Sequence, residues 1–431
     1  MTVLIEAAQR GLQALLQLFM HPFYYVGILF VILQYRRQIQ FERKLFHTKL
    51  HSLVSETWRA LWWGWVGGLI ASVLMAAVGA TVQADAVLLL WVVSLLLTFI
   101  RVRFLCWAYA IGVLGVVQAG YRLFAPALEP APSWLGDLIH TILNLNMASL
   151  LALIAVLHLV EALLIRQHGA KTATPMFYES KRGKIVGGYH MQGFWPVVLF
   201  LIVPLQGGGG IALPWTPLIG GELWSAGWTI VGFPVMIGFA EMTKSRLPRE
   251  KARLSAKLLA CYACAVLLLA LLAYVWPIMT VVASIGCIAL HEGLLLFSKW
   301  DESRRSPIYV HDRRGLKILG ILPGSAAAEL GLGPGEIIHK VNGMAVTTKR
   351  ELHQAMQQNP AFCKLEVFNL AGESKFVKRA MFSDEHHQLG IILAPDQEAM
   401  YYAGEKQPSL FAYVSRRLRG LFANQSGGRP M

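Results

Sequence analysis

The feature that most constrains this chain is a succession of apolar runs, at residues 60–80, 86–100, 104–124, 139–165, 194–213, 223–241, 258–276 and 277–297. Most reach or approach the ~20 residues that a helix needs to cross hydrocarbon. Inside lipid a backbone must satisfy its own polar groups, so each run is read as a helix. Hydrophobic residues make up 55% of the 431 positions and charged ones only 15%, a balance outside the soluble globular range. The run 194–213 is the weakest member. Pro204, Pro214 and the four glycines from Gly207 to Gly210 interrupt it, which predicts a broken or re-entrant helix.

Ahead of these runs, residues 2–19 place Val3, Leu4, Ala7, Ala8, Leu12, Leu15 and Leu16 opposite Glu6, Gln9, Arg10 and Gln13, the pattern of an interfacial helix. Pro22 breaks it, and apolar sequence resumes to Tyr35 before Arg36-Arg37. The start lacks a basic leader and a small-residue cleavage motif, so it is expected to be retained. A strict count gives nine spans. If 2–35 forms a hairpin or lies partly in the interface the number is eight, and the expected architecture is an α-helical polytopic membrane bundle of about eight spans.

Orientation follows from Lys and Arg. They crowd the connections 36–59, 101–103, 166–184 and 244–257, whereas 81–85, 125–137 and 206–221 contain none. The positive-inside rule makes the first set cytoplasmic, and the last crossing then delivers everything after Lys299 to the cytoplasm. The net charge of +14 is read as contact with anionic lipid, with no nucleic-acid partner expected. Five cysteines, four of them in apolar runs, give no disulfide framework; Cys261 and Cys264, one helical turn apart, are expected to pack rather than to form a redox pair or a zinc site.

After the last run the sequence changes character. Residues 316–321 form a short apolar run closed by Pro323-Gly324, hence a strand. Ser325 caps a helical turn over 326–330, Gly331 ends it, and Pro334-Gly335 precedes a strand at 336–341 and the Asn342-Gly343 turn. Thr347 or Thr348 caps a helix whose inner face carries Leu352, Ala355 and Met356, stopped by Asn359-Pro360. Strands at 362–368, 375–381 and 389–393 complete the segment. Gly315-Leu316-Lys317-Ile318, the run PGSAAAELGL and GEIIHKVNG together resemble a PDZ domain of the circularly permuted bacterial type, over about residues 305–395. The expected domain order is therefore an N-terminal segment at 1–35, a multi-span domain at 36–303, a small α+β PDZ-like domain at 304–395 and a basic tail at 396–431.

The resemblance implies a peptide-binding groove. Main-chain N–H groups at Gly315, Leu316 and Lys317 would cradle a peptide carboxylate, and a partner segment would add as a strand beside 316–321, against the helix 349–358. Arg314, with Arg313, would either attract an acidic chain end or stand as a solvated charge pair, while Ile318, Leu352 and Met356 either line the groove or pack the core.

Catalytic chemistry is hard to find. His291-Glu292 looks like the start of a zinc helix, but the residue one turn on is Leu295, and no Asp-Gly pair in a span offers a third ligand. His158 and Glu161 share a helix face but are only two groups, better read as interhelical hydrogen-bonding residues. No phosphate loop or nucleophile triad is visible, so no catalytic residue, metal or cofactor is expected.

The N-terminal LFMHPFYYVGILFVILQYRR followed by FERKLFHTKLHS, with His21-Pro22 and Phe46-His47-Thr48, several spans and one C-terminal PDZ-like domain, resembles the MinJ family of cell-division topological determinants of rod-shaped Gram-positive bacteria. That resemblance implies a non-enzymatic scaffold at division septa and poles, linking a DivIVA-like protein to a MinD-like one and so placing the division inhibitor MinC. Self-association would be compatible with that role. The alternative is a PDZ-regulated membrane enzyme of site-2-protease type, or a transporter. In the tail, Phe411, Val414, Leu418, Leu421 and Phe422 alternate with Arg416, Arg417 and Arg419, as in a basic helix lying on membrane lipid, the alternative being a disordered tail with incidental leucines.

Overall fold

The computed structural model describes residues 2–82, 84–124, 133–180, 183–204, 213, 215–220, 227–381 and 389–396. The glycine run 207–210 and the tail helix expected at 410–422 lie outside them. The first part is mainly helical: α1 (Thr2–Met20), α2 (Pro22–Phe46), α3 (Leu53–Val78), α4 (Ala84–Ile100), α5 (Trp107–Phe124), α6 (Ser133–Leu143) and α7 (Met147–Leu164). Three strands follow, β1 (Ala173–Glu179), β2 (Ile185–Pro204) and β3 (Trp228–Thr243), and then helices α8 (Pro248–Val275) and α9 (Met279–Arg304).

Among the described residues four helices are long and apolar enough to cross a membrane, α3, α7 with the π turn that extends it to Gly169, α8 and α9. Counting α1 and α2, bent by 58° at His21-Pro22, as one broken span gives five. The expectation of about eight helical spans is therefore too high. The central helix is α7, with 83% of its apolar window buried in the protein against 17% for α9. Its small and branched side chains suit a helix enclosed on all sides.

The largest correction concerns 194–213 and 223–241, read above as helices. Their described residues are strands β2 and β3, paired antiparallel from Tyr189↔Thr243 to Pro204↔Trp228. Composition explains it. The segments are rich in Val, Ile, Phe and Trp, and Pro196 and Pro234 would each break a helix interior. In an apolar setting an open ribbon must still satisfy its edges. Here β1 pairs with β2 along Ile185 to Met191, and beyond that α3 takes over the same edge. Gly64 and Gly68 let the helix lie against the Pro196 and Val198 carbonyls, and one turn on Ser72 Oγ accepts the Phe200 N–H at 2.8 Å. On the opposite edge Gly232 abuts the Ala14 carbonyl of α1. Pro196 and Pro234 occupy outward positions of the ladder, where no N–H is needed.

At about 3.3 Å per residue, the 20-residue β2 is far longer than hydrocarbon is thick. Its first half leaves the helices and joins the C-terminal region. Tyr189 packs with Tyr309, Leu319 and Ile392, against Phe46, Leu50, Phe177, Leu247 and Ile308. The Gly187 N–H donates to the Tyr309 carbonyl at 2.8 Å, and Tyr189 donates to the Leu319 carbonyl. Three of the basic connections, 36–59, 166–184 and 244–257, supply residues to this junction or adjoin it. The charge asymmetry of the sequence thus corresponds to one end of the helical layer, where the C-terminal region sits.

Beyond α9 the chain forms β4 (Leu316–Ile321), α10 (Ala326–Glu329), β5 (Ile337–Val341), β6 (Met344–Ala345), α11 (Lys349–Gln357), β7 (Phe362–Phe368), β8 (Ser374–Ala380) and β9 (Ile391–Leu393). The sheet order is β8-β7-β5-β4-β9, with β6 paired to β5. Ser325 caps α10, and Thr348 caps α11 in a capping box with Glu351. The sheet and α11 enclose a core that includes Ile318, Ile338, Val341, Ala355, Met356, Leu365 and Val367.

Candidate partner-docking edge

The structure redistributes the predicted groove. Strand β4 has no free edge: it pairs with β5 on one side and with β9 on the other, through Ile318↔Leu393, Gly320↔Ile392 and Ile321↔Ile391. The place expected for an incoming peptide is filled by the last of the described strands. Sequence order hides this, because β9 lies some seventy residues after β4 and is only three residues long.

The individual residues follow suit. Gly315 has φ +154°, and a Cβ there would meet the Ile338 carbonyl at 2.1 Å, so the glycine serves close strand approach. Its N–H donates to the Asp312 carbonyl at 3.2 Å. Leu316, Ile318 and Met356 are buried in the core, with Leu352 partly buried against it. Lys317 Nζ donates to the Ile308 carbonyl at 3.0 Å, and burial lowers its pKa. Arg314 is exposed and forks onto Asp312 at 2.8 Å. Hydrogen bonds from Arg314 hold the Asp312 carboxyl down at about 2. Arg314, Gly315, Leu316, Lys317, Ile318, Leu352 and Met356 are thus brought into one small domain, but not around one open groove.

The open ladder on the β4 side of the sheet belongs to β9, as that on the other side belongs to β8. The Leu322 N–H donates to the Gly390 carbonyl and the Ala394 N–H to the Lys317 carbonyl, at 2.9 and 2.8 Å. Gly390, Ile392 and Ala394 therefore face β4, and alternation turns the backbone groups of Ile391 and Leu393 to the other side. Among the described residues no strand pairs there. The edge is short and begins at Gly390, whose φ of +70° re-aims the chain. Its side chains stay inward: Ile391 and Leu393 join the domain core, and Ile392 the junction with β2. A readable signal existed in Leu389-Gly390 followed by three apolar residues, but only topology shows that this strand ends the sheet on the β4 side.

The pair His291-Glu292 is also placed. His291 Nδ1 lies 3.0 Å from Tyr109 Oη, Tyr109 donates to Glu292 at 2.7 Å, and Arg103 reaches Glu292 at 3.0 Å. These are hydrogen bonds between α9 and the α4–α5 hairpin.

No protein-family model matches the chain. It is similar to the cell division topological determinant MinJ of Bacillus subtilis (strain 168), with 27% identity over 385 residues, covering 88% of this chain and 93% of that protein. A probable cell division topological determinant MinJ from Lacticaseibacillus paracasei is 25% identical over 375 residues, covering 83% and 91%. A match of 385 residues cannot fit within the helical layer alone, which ends at Arg304.

Proposed function

We propose, given that this chain belongs to the MinJ type of cell-division topological determinant, that it is a multi-pass scaffold without catalysis. It would sit at septa and poles and link a DivIVA-like protein to a MinD-like one. The observation that carries this reading is the extent of the similarity, which takes in the helical layer and the C-terminal sheet domain together.

In this reading the C-terminal domain is PDZ-like and cytoplasmic. Its β9 edge, with the outward groups of Ile391 and Leu393, receives an extended partner segment by strand addition. The junction around Tyr189 and Tyr309 fixes that edge against the membrane-facing part, so a docked partner is held close to the bilayer. Anchorage comes from the apolar helices and, through 410–422, from anionic lipid.

The test is recovery of partners from cross-linked membranes. The full chain should co-purify with the DivIVA-like and MinD-like proteins, and a chain lacking 305–396 should accumulate normally but lose at least one of them. Equal recovery of both by the shortened chain would move recruitment to the helical layer.

A further inference from the structure

Three residues that the sequence scatters converge inside the helical layer. Cys106 follows a 3-10 turn (Val102–Leu105) between α4 and α5, His158 lies in α7, and His291 lies in α9. One donor atom from each lies within 4.8 Å of the other two. We propose that Cys106, His158 and His291 bind a single borderline-soft metal ion of the zinc class.

The geometry supports this in three ways. First, a tetrahedral zinc with bonds of about 2.3 Å to sulfur and 2.0–2.1 Å to nitrogen has an S···N edge of about 3.6 Å. Cys106 Sγ and His158 Nε2 stand 3.5 Å apart. Second, both imidazoles are set to present Nε2. His158 Nδ1 donates to the Ile154 carbonyl at 2.9 Å. Tyr109 uses its own proton on Glu292, so its oxygen is free to accept the His291 Nδ1 proton at 3.0 Å. An imidazole whose Nδ1 is engaged as a donor has its Nε2 lone pair free for a metal. Third, the Tyr109–Glu292–Arg103 chain orients His291 as an outer shell would, with the Arg103 charge offsetting that of Glu292. One thiolate and two neutral imidazoles suit a soft or borderline ion better than magnesium or calcium.

The placement gives such an ion a structural task. His291 sits near the middle of α9, twelve residues from its start at Met279 and thirteen from its end at Arg304. The α4–α5 hairpin reaches only to that level. Gly112 and Gly115 run back along α9 in close contact with Ile288 and Ser284. An ion held by Cys106 would pin the hairpin's turn to α7 and α9. The sequence does not bring these three donors together, because it pairs each histidine with its neighbour in the chain. No spacing rule joins positions 106, 158 and 291.

The test uses the full chain in detergent, stripped with a chelator and titrated with Co²⁺ as a spectroscopic stand-in for zinc. One Co²⁺ per chain should bind and give a near-ultraviolet thiolate-to-cobalt charge-transfer band. The band should vanish in Cys106→Ser and persist in Cys261→Ser, whose thiol is exposed elsewhere. His158→Gln should weaken binding at least tenfold, and Tyr109→Phe roughly tenfold. Zinc returned to the stripped wild-type chain should raise its unfolding temperature. Absence of the band in the wild-type chain, or its survival in Cys106→Ser, would overturn the proposal and leave a thiol–imidazole hydrogen bond. The wild-type titration decides the matter even if a variant does not fold.

Discussion

Replacing Gly68 by Ala tests how the β2–β3 ribbon is held among helices. A Cβ at position 68 would lie 2.0 Å from the Val198 carbonyl oxygen, where real Cβ atoms essentially never come within 3.0 Å. The strand must move by about 1 Å, and the obstacle is backbone, so no rotamer change relieves it. Overpacking of this kind costs about 1–3 kcal/mol. The same shift pulls the Phe200 N–H off Ser72 Oγ, now 2.8 Å away, and a buried donor left unmet costs about 1–3 kcal/mol more. Helix propensity returns about 1 kcal/mol on going from Gly to Ala. The net expectation is roughly 3 kcal/mol. If the whole chain melts as one unit the midpoint should fall by about 3 °C, and by more if the helical layer melts alone. Gly120→Ala in α5, where nothing lies within 4 Å, is the control and should be neutral or slightly stabilising. Thermal unfolding of both variants in detergent reads the difference. Equal midpoints would mean that α3 does not cover the β2 edge as described.

Glu42 is fully buried and accepts the Leu50 and His51 N–H groups at 2.8 and 3.2 Å and the His51 ring at 2.5 Å. Glu42→Ala should therefore cost about 3–5 kcal/mol and open residues 47–52 to protease, and unchanged cleavage there would refute the clamp. Burial disfavours charge on His51, but the hydrogen bond and charge of Glu42 outweigh it and raise its pKa. The stabilisation is then full below about pH 6.5 and fades as pH rises through the raised value, which a melting series across pH will show. Gly315→Val should unfold the C-terminal sheet, because the clash is with the Ile338 carbonyl; limited proteolysis that leaves 305–396 intact contradicts this. A reporter fused after Pro395 should lie in the cytoplasm and one inserted at 125–132 outside, and the reverse result would invert the orientation.

The C-terminal domain was legible almost element by element, because turn chemistry is local: Pro323-Gly324, Ser325, Pro334-Gly335, Asn342-Gly343 and Thr348 each act on neighbours in the chain. The place of its open β9 edge was not, since the pairing of Ile318 with Leu393 depends on a return of the chain that no local signal carries. In the helical layer hydropathy marked the apolar segments but not their backbone. Phe194 to Pro204 is as apolar as a span, and only the outward prolines, together with Gly64, Gly68 and Ser72 on another helix, show how a strand is accommodated. The cluster of Cys106, His158 and His291 illustrates the same limit for chemistry, since three separate elements bring its donor atoms together.

The most direct test of the account is the position of the protein in dividing cells, read together with the septa. A fluorescent full-length chain should gather at septa and poles, and its depletion should give misplaced or missing septa and filamentous cells. Leu393→Pro, which removes an outward N–H of β9 and leaves the donors facing β4 in place, should still reach the membrane yet fail to restore septum placement. An even distribution of the full-length chain around the membrane, with normal septa after its depletion, would contradict the account.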